Sequence, residues 1–275
     1  MRVTFACRVI TLPACGGPCG WTQGIQYYGD NQNTHYNALQ ITLAQTSWHG
    51  LSGTLNYAYQ RATDAAGGYA TWSHSAVWGN DSNVRRSVWT GYAVYKLPFG
   101  KGQTFLADAK GFVNQLVSGF EFSPTVVYQS GLPFTLSFSG CGADIPGSAP
   151  CYVNGNSSAL KTGKSGAPGA GLLWYKAQTL GTTFTDPGLD NIGTGGRNNA
   201  WGPYFFNSDM SAMKNFTIKD RYTLQFRADA YNAFNHINFG LPNGNIESDG
   251  NITSGPGPGG TANPRQMQFT ARLQF

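Results

Sequence analysis

The chain has 275 residues, of which only 11% are charged, against about 25% in an ordinary soluble domain. Glycine is abundant at 37 residues, aromatic side chains make up 14%, and the net charge of +5 is spread without a run of lysine or arginine. This balance excludes a coiled coil and a charged disordered chain, and we expect no nucleic-acid partner. No stretch reaches the ~18–20 continuous apolar residues of a membrane-spanning helix, so an all-β chain remains.

Residues 1–33 are predicted to stand apart from the rest of the chain, as a poorly assigned N-terminal strand and loop. Val3, Phe5 and Val9 share one parity over 2–12, which predicts a weak strand. Arg8 interrupts the apolar run, so the start does not resemble a secretory signal peptide.

The five cysteines are odd in number. Cys141 and Cys151 stand in a Gly/Pro-rich stretch, and Cys15 and Cys19 form the sequence CGGPC. Either pair would close a small disulfide loop in an oxidising compartment, with free thiols as the alternative. The C-x3-C spacing is not that of a zinc knuckle, and the histidines are scattered, so we expect no metal site.

Alternation of apolar and polar residues predicts strands along residues 34–275. A strand separates such alternating residues onto two faces, whereas a helix mixes them. Met267, Phe269 and Leu273 show the pattern clearly, between glutamines and Arg272. Together with 2–12, about eight strands are predicted, most of them longer than the usual 5–6 residues and long enough to cross a bilayer: 36–46, 51–61, 85–97, 115–129, 204–217, 221–235 and 266–275.

The connections between these strands alternate in length. Those after 36–46 and 204–217 are short and the one after 85–97 is moderate, whereas the others are long and rich in Gly, Asn, Ser and Pro. Transmembrane β-barrels have short periplasmic turns and long external loops. With Phe275 on the periplasmic side, every long loop falls outside, which a β-sandwich would not require. The long connections are 13–35, 62–84, 139–203 and 236–264.

Several segments together resemble the C-terminal barrel portion of TonB-dependent outer-membrane receptors and transporters. The likeness is closest to the Oar-like acidobacterial group, whose full-length members carry a carboxypeptidase-regulatory-like N-terminal domain. The resemblance covers 34–275 and depends on THYNALQITL (34–43), HGLSGTLNYAYQRATD (49–64), YKLPFGKG (95–102), YQSGLPFTL (128–136), GRNNAWGPYFFNSDMSAMKNF (196–216), LQFRADAYNAFNHINFGLPN (224–243) and PRQMQFTARLQF (264–275).

The resemblance implies an antiparallel transmembrane β-barrel of roughly 22 strands with a plug inside it. Residues 34–275 would supply about eight of those strands, so we expect a fragment that lacks the plug and the upstream strands. The resemblance also implies an outer-membrane location, contact with outer-membrane lipid, and energy from TonB only in the full-length protein. The barrel-assembly machinery would recognise the last strand through its C-terminal Phe275.

Charged residues on the predicted strands are assigned by parity. Arg227, Asp229 and Arg272 share the polar parity, so we expect them inside the barrel as an ion-pair ladder between strands, with lining a substrate path or holding a plug as the alternative. Lys214 falls on the apolar parity, where its place near a strand end would let it reach the headgroups.

Seven aromatic residues are predicted to form girdles at the membrane interfaces, with sugar stacking as the alternative. They are Tyr57, Tyr59, Trp89, Tyr92, Tyr95, Tyr222 and Tyr231.

We expect binding and passage of a nutrient, with no catalytic, cofactor-binding or metal-ligating residue and no enzymatic activity. The external loops, chiefly 139–203 and 236–264, would contribute to capture. Two alternatives remain from the residues alone: a self-contained eight-stranded outer-membrane barrel that serves as an adhesin or structural protein, and a secreted glycan-binding β-sandwich.

Overall fold

The computed structural model describes residues 33–65, 78–140, 152–163, 172–188, 191–218, 222–252 and 264–275. The predicted strand 2–12 and all five cysteines lie outside these ranges, so both predictions stand as they were made. The described elements are β1 (Thr34–Trp48), β2 (Leu51–Asp64), β3 (Gly79–Asn80), β4 (Ser87–Lys96), α1 (Gly111–Val117), β5 (Phe120–Gln129), β6 (Pro133–Phe134), a 3₁₀ turn (Ser157–Ala159), β7 (Leu172–Leu173), β8 (Ala200–Trp201), β9 (Phe205–Ile218), β10 (Tyr222–Tyr231), β11 (Asn251–Ile252) and β12 (Gln266–Gln274).

One sheet contains all the long strands of the described chain, in the order β1-β2-β4-β5-β9-β10-β12. Each long strand pairs antiparallel with the next long strand along the chain, and the two-residue β3 adds to the side of β2. The long strands have 9 to 15 residues. This up-and-down order and these lengths confirm the all-β, antiparallel prediction.

The register places the predicted apolar residues on a single face of the sheet, called the apolar face. One row across it joins Ile41, Tyr57, Trp89, Tyr128 and Phe206, each directly opposite the next. Because side chains alternate along a strand, the intervening residues form the polar face. Val88, Tyr92 and Val94, which disturb the alternation of 85–97, lie on that polar face opposite alanine and threonine or serine of β2.

All the long connections of the described sheet leave from the same end. The chain between β2 and β4, between β5 and β9 and between β10 and β12 departs from one end, and the shorter turns close the other. The turn between β1 and β2 is the tightest, with His49 at φ 48° and Gly50 at φ 85°. Two successive positive φ values suit a two-residue hairpin turn, and a Cβ at Gly50 would come within 2.6 Å of the Lys96 carbonyl oxygen.

The prediction for 115–129 is wrong in its first part. Residues Gly111–Val117 form the helix α1, so Leu116 is helical, and β5 begins only at Phe120. Gly119, at φ 74°, separates the two elements. Apolar residues at 112, 113, 116 and 117 follow helical spacing, but the strand pattern that begins at Phe120 has the same parity as Leu116 and masks the boundary.

The main hydrophobic core of the described chain lies outside the sheet, in its long connections. Residues between β5 and β9 pack with 243–252 into one unit, called the loop module, which includes the pairs β6–β8 and β7–β11. The core residues are Phe134, Leu136, Phe138, Val153, Leu160, Tyr175, Phe184, Ala200 and Ile246.

The alternative of a soluble β-sandwich is wrong. The long strands form one sheet, and the apolar face is exposed, with Leu43 at 66% and Phe269 at 73% of full exposure. A sandwich buries such a face against a second sheet. No helix of the described chain has the length and apolar content needed to cross a membrane.

Candidate functional site

The polar face of the sheet presents hydrogen-bonding groups along its length. Thr42 donates to Asn56 Oδ1 at 2.9 Å, and Gln225 donates through Nε2 to Asn215 Oδ1 at 3.0 Å. These bonds join neighbouring strands at positions that the register places opposite each other. The face is therefore a wall of amides and hydroxyls, able to bond water or a polar solute.

The charges on this wall are arranged differently from the predicted ladder. Arg227 Nε donates to Asp229 Oδ1 at 2.8 Å, which is an ion pair within β10 and not between strands. Arg272 lies opposite Gln225 in the register. The shared face of Arg227, Asp229 and Arg272 is as predicted, whereas the cross-strand ion pairing is wrong because the neighbours of these residues on β9 and β12 are Met213, Thr270 and other uncharged side chains. The Arg227 side chain is half exposed and the Asp229 side chain nearly buried, so the guanidinium is the accessible charge.

Asparagine and aspartate side chains end the strands where the long loops begin. Asp209 Oδ1 accepts from the backbone N–H of Asn232 at 2.8 Å, just after β10. Asn232, at φ 47°, bonds His236 twice through its side-chain amide. Asn238 likewise bonds both the N–H and the carbonyl of Phe206, at 2.8 and 2.9 Å. The amides of Asn232 and Asn238 bond backbone groups that a neighbouring strand would otherwise pair. This role accounts for the asparagines of the segment NAFNHIN.

The segment GRNN at 196–199 fastens the loop module to the sheet. Arg197 forms an ion pair with Asp64 at the end of β2, and Gly196 has φ 72°. Asn198 and Asn80 exchange two hydrogen bonds of 2.7 Å between side-chain amide and backbone carbonyl. Burial lowers the pKa of Arg197, although a guanidinium stays charged at any physiological pH. The ion pair and the two amide hydrogen bonds therefore join this glycine-rich loop to β2 and β3.

Tyr175 lies at the centre of the loop module and is 2% exposed. Its hydroxyl donates towards two carbonyls, Asn243 O at 2.5 Å and Asn245 O at 3.0 Å. Burial, with a smaller contribution from the Asp249 carboxylate, raises the pKa of Tyr175 to about 12. A Cβ at Gly250 would collide with the Tyr175 ring, so glycine is required there. The module therefore has a fixed, packed interior.

The register shows on which face of the sheet each of the seven predicted girdle residues lies. Tyr57, Tyr59, Trp89, Tyr95 and Tyr222 lie on the apolar face. Tyr92 and Tyr231 lie on the polar face, so their assignment is wrong. β4 and β10 each carry aromatic residues at both parities, and only the register with neighbouring strands shows which face each residue lies on.

Pattern reasoning also missed aromatic residues at the long-loop end. Tyr128 and Phe206 lie in the same row as Tyr57 and Trp89, whose rings are 4.2 Å apart. Tyr204 and Phe234 extend this row into the loops, with ring centroids 5.7 Å from Tyr128 and 6.0 Å from Phe206.

Lys214 lies on the apolar face, as its parity predicts, but its ammonium is bound by protein. Its Nζ donates to the carbonyls of Gln115 and Ser118 and lies 4.4 Å from the centre of the Phe120 ring. The residue is buried, so the predicted extension towards headgroups is wrong. The carbonyls of α1 and its C-cap provide the bonds that the charge needs on this face.

The described residues contain no group of three or more His, Cys, Asp or Glu side chains placed to hold a metal ion. The chemistry that the site offers is hydrogen bonding along the polar face and contact with the ordered outer loops. Asn198, Asn232 and Asn238 were not singled out from the sequence. Asn232 lies inside the predicted strand 221–235, which is wrong in its last part because β10 ends at Tyr231. The signal for the three residues was the clustering of asparagine near strand ends, where side chains must bond backbone groups that the sheet no longer pairs.

Comparison with known proteins agrees with this architecture. A family described as an outer membrane beta barrel domain matches residues 12–268, which is most of the chain. No curated protein and no solved structure matches it. An exposed apolar face, a polar opposite face and long loops confined to one end are the features of such barrels. The chain therefore belongs to the outer membrane beta barrel domain family and is located in the bacterial outer membrane.

Proposed function

We propose that the chain is the C-terminal barrel segment of a TonB-dependent outer-membrane transporter, which binds a nutrient at the cell surface and passes it inward. The role is binding and passage, with no bond chemistry. The plug domain, the upstream strands and TonB would act with this segment in the full-length protein.

The loop module is the observation that carries the proposal. Its connections share one core around Tyr175 and are fastened to β2 and β3 through Arg197 and Asn198. Ordered loops bind a ligand with less loss of conformational entropy than mobile ones. The loop module therefore offers a preorganised surface to a ligand at the outer end of the barrel.

The polar face supports the second part of the proposal, passage. On β9, β10 and β12 it offers amides, hydroxyls and the half-exposed Arg227 guanidinium. A solute leaving the loop module would exchange hydrogen bonds with water for hydrogen bonds with this wall.

The test is uptake in the native bacterium after deletion of the gene that encodes this chain. Labelled siderophores, oligosaccharides and peptides are supplied with and without a protonophore. We expect uptake of one class to be lost on deletion and, in the parent strain, to stop with the protonophore. Unchanged uptake of all three classes, or uptake that ignores the protonophore, would contradict energised transport and favour the alternative of a self-contained adhesin or structural barrel.

The role of the loop module is tested with Arg197→Ala and the matched control Lys161→Ala, whose side chain is exposed. We expect weaker binding of the ligand to Arg197→Ala cells because the ion pair to Asp64 is lost. Equal binding by the two variants would exclude the module from capture.

Recognition of the last strand by the barrel-assembly machinery is proposed from Phe275, which is 95% exposed. We expect Phe275→Ala to lower the amount of chain inserted in the outer membrane, measured by fractionation. An unchanged amount would contradict the proposal.

A further inference from the structure

The connection between β4 and β5 exposes an unusual number of large apolar side chains. Phe105, Leu106, Phe112, Val113 and Leu116 are each more than half exposed, and Phe112 reaches 77%. We call these five residues the periplasmic patch, since they lie at the short-turn end of the sheet. Contiguous apolar patches on a protein surface usually mark a site of interaction with a membrane or another protein.

Helix α1 has its polar side turned towards the protein. Asn114 Oδ1 accepts from the backbone N–H of Lys101 at 2.7 Å, and Gln115 Nε2 donates to the Thr217 carbonyl at 3.2 Å. None of the helix residues is buried. The apolar Phe112, Val113 and Leu116 are exposed, as are Gly111 and Gln115, whereas Asn114 is half-buried. Three large apolar side chains on the outer side of so short a helix are suited to apolar surroundings there.

The end of α1 is held on the lipid-facing side of the sheet. Lys214 belongs to the apolar face, and its Nζ bonds the carbonyls of Gln115 and Ser118, at 2.7 Å for Gln115. The same Nζ lies over the rings of Phe120 and Phe216, which also belong to that face. The periplasmic patch is therefore continuous with the surface that the barrel presents to lipid.

The charges around the patch favour an anionic neighbour. Lys101 and Lys110 are exposed beside it, and the exposed Asp108 is the acidic residue of the same connection. An apolar surface edged by lysines matches the boundary between acyl chains and phosphate headgroups.

We propose that the periplasmic patch inserts into the inner leaflet of the outer membrane, with α1 at the level of the headgroups and Lys101 and Lys110 paired with phospholipid phosphates. The connection thereby anchors the periplasmic end of β4, β5 and β9 to the membrane surface. The proposal depends on the barrel's place in the membrane and is independent of transport.

The test places a photoreactive benzophenone amino acid at position 112 of the full chain in cells. Illuminated outer membranes are then analysed by mass spectrometry for adducts. Position 269, on the apolar face in the middle of β12, is the positive control, and position 161, in the loop module, is the negative control. We expect phospholipid adducts at 112 and 269 and none at 161.

A protein adduct at 112, or no lipid adduct there while 269 gives one, would overturn the proposal. A missing lipid adduct at 269 would instead contradict the assignment of the apolar face. Should the substitution at 112 prevent insertion, position 116 is tested in the same way, because Leu116 is 54% exposed on the same patch.

Discussion

Phe269 and Thr270 are neighbours in β12 that belong to opposite faces. Phe269 is opposite Ala228 and Thr270 is opposite Arg227. A positive charge on the lipid face costs ~2–4 kcal/mol near the middle of the bilayer, whereas a charge on the polar face meets water. We expect Phe269→Arg to lower the free energy of unfolding by about that amount and Thr270→Arg to change it by less than about 1 kcal/mol.

The two variants are refolded into lipid vesicles, and urea titrations give their free energies of unfolding. The same side chain is introduced one position apart, so the strand propensity of the new residue is the same in both variants. Equal losses would invalidate the assignment of the two faces.

The Asn238 side chain provides two hydrogen bonds that a neighbouring strand would otherwise provide. Its amide satisfies both backbone groups of Phe206, and the residue is 5% exposed. Asn238→Ala leaves a buried donor and acceptor unpaired, and we expect a loss of about 1–3 kcal/mol in the free energy of unfolding.

Asn238→Asp provides the control for this prediction. An aspartate keeps the acceptor for the Phe206 N–H but has no donor for the Phe206 carbonyl. Its loss, measured in the same urea titration, is expected to be at least as large as that of Asn238→Ala, because a buried carboxylate would face the Phe206 carbonyl oxygen without compensation. An Asn238→Ala variant with an unchanged free energy of unfolding would show that water replaces the hydrogen bonds of the amide.

At the scale of an element, the loop module should respond to alkaline pH through Tyr175. Its pKa is raised to about 12, above the value of about 10 in an unfolded chain. Stability from the neutral hydroxyl is therefore complete below about pH 10 and is lost as the pH rises towards 12. We expect protease cleavage within the module to increase over this range, earlier than cleavage within the strands.

Absorbance of ionised tyrosine gives the companion measurement. Tyr175→Phe should remove one of the late-titrating tyrosines. If the resistance of the loop module to protease is unchanged up to pH 12, the prediction that the buried Tyr175 hydroxyl stabilises it is wrong.

At the scale of the whole molecule, the described sheet ends in β1 and β12. Both strands run from the long-loop end to the short-turn end, so direct pairing between them would be parallel. Barrels of this class are antiparallel, and a membrane tolerates no unpaired strand edge. We therefore expect at least one further strand between β12 and β1, and the predicted strand 2–12 is one candidate.

Hydrogen exchange of the protein in outer membranes isolated from the native bacterium checks this expectation. The amides of 34–48 and 266–274 should exchange as slowly as those of 205–218, which have neighbours on both sides. Rapid exchange confined to the two outer strands would mean that their edges are open in the membrane.

Much of this architecture was predictable because side chains alternate between the two faces of a strand, so the sequence shows directly which residues share a face. The parity of β12 and β10, the hairpin between β1 and β2, and the alternation of short and long connections all follow from local rules. The boundary at Leu116 and the faces of Tyr92 and Tyr231 do not, because one strand alone cannot distinguish two aromatic parities. The register with neighbouring strands resolves them.

By itself, then, the sequence determined the all-β class, the strands, the lipid-facing parity and the end from which the loops leave. Those properties depend on residues two apart or on the lengths of connections. Only the tertiary structure decided that the outer loops share a core and that GRNN bonds this core to β2 and β3. It also decided that Asn114 and Gln115 of α1 bond backbone groups of the protein. These features depend on contacts between residues far apart in the chain, such as Asn80 with Asn198, and no local periodicity records such contacts.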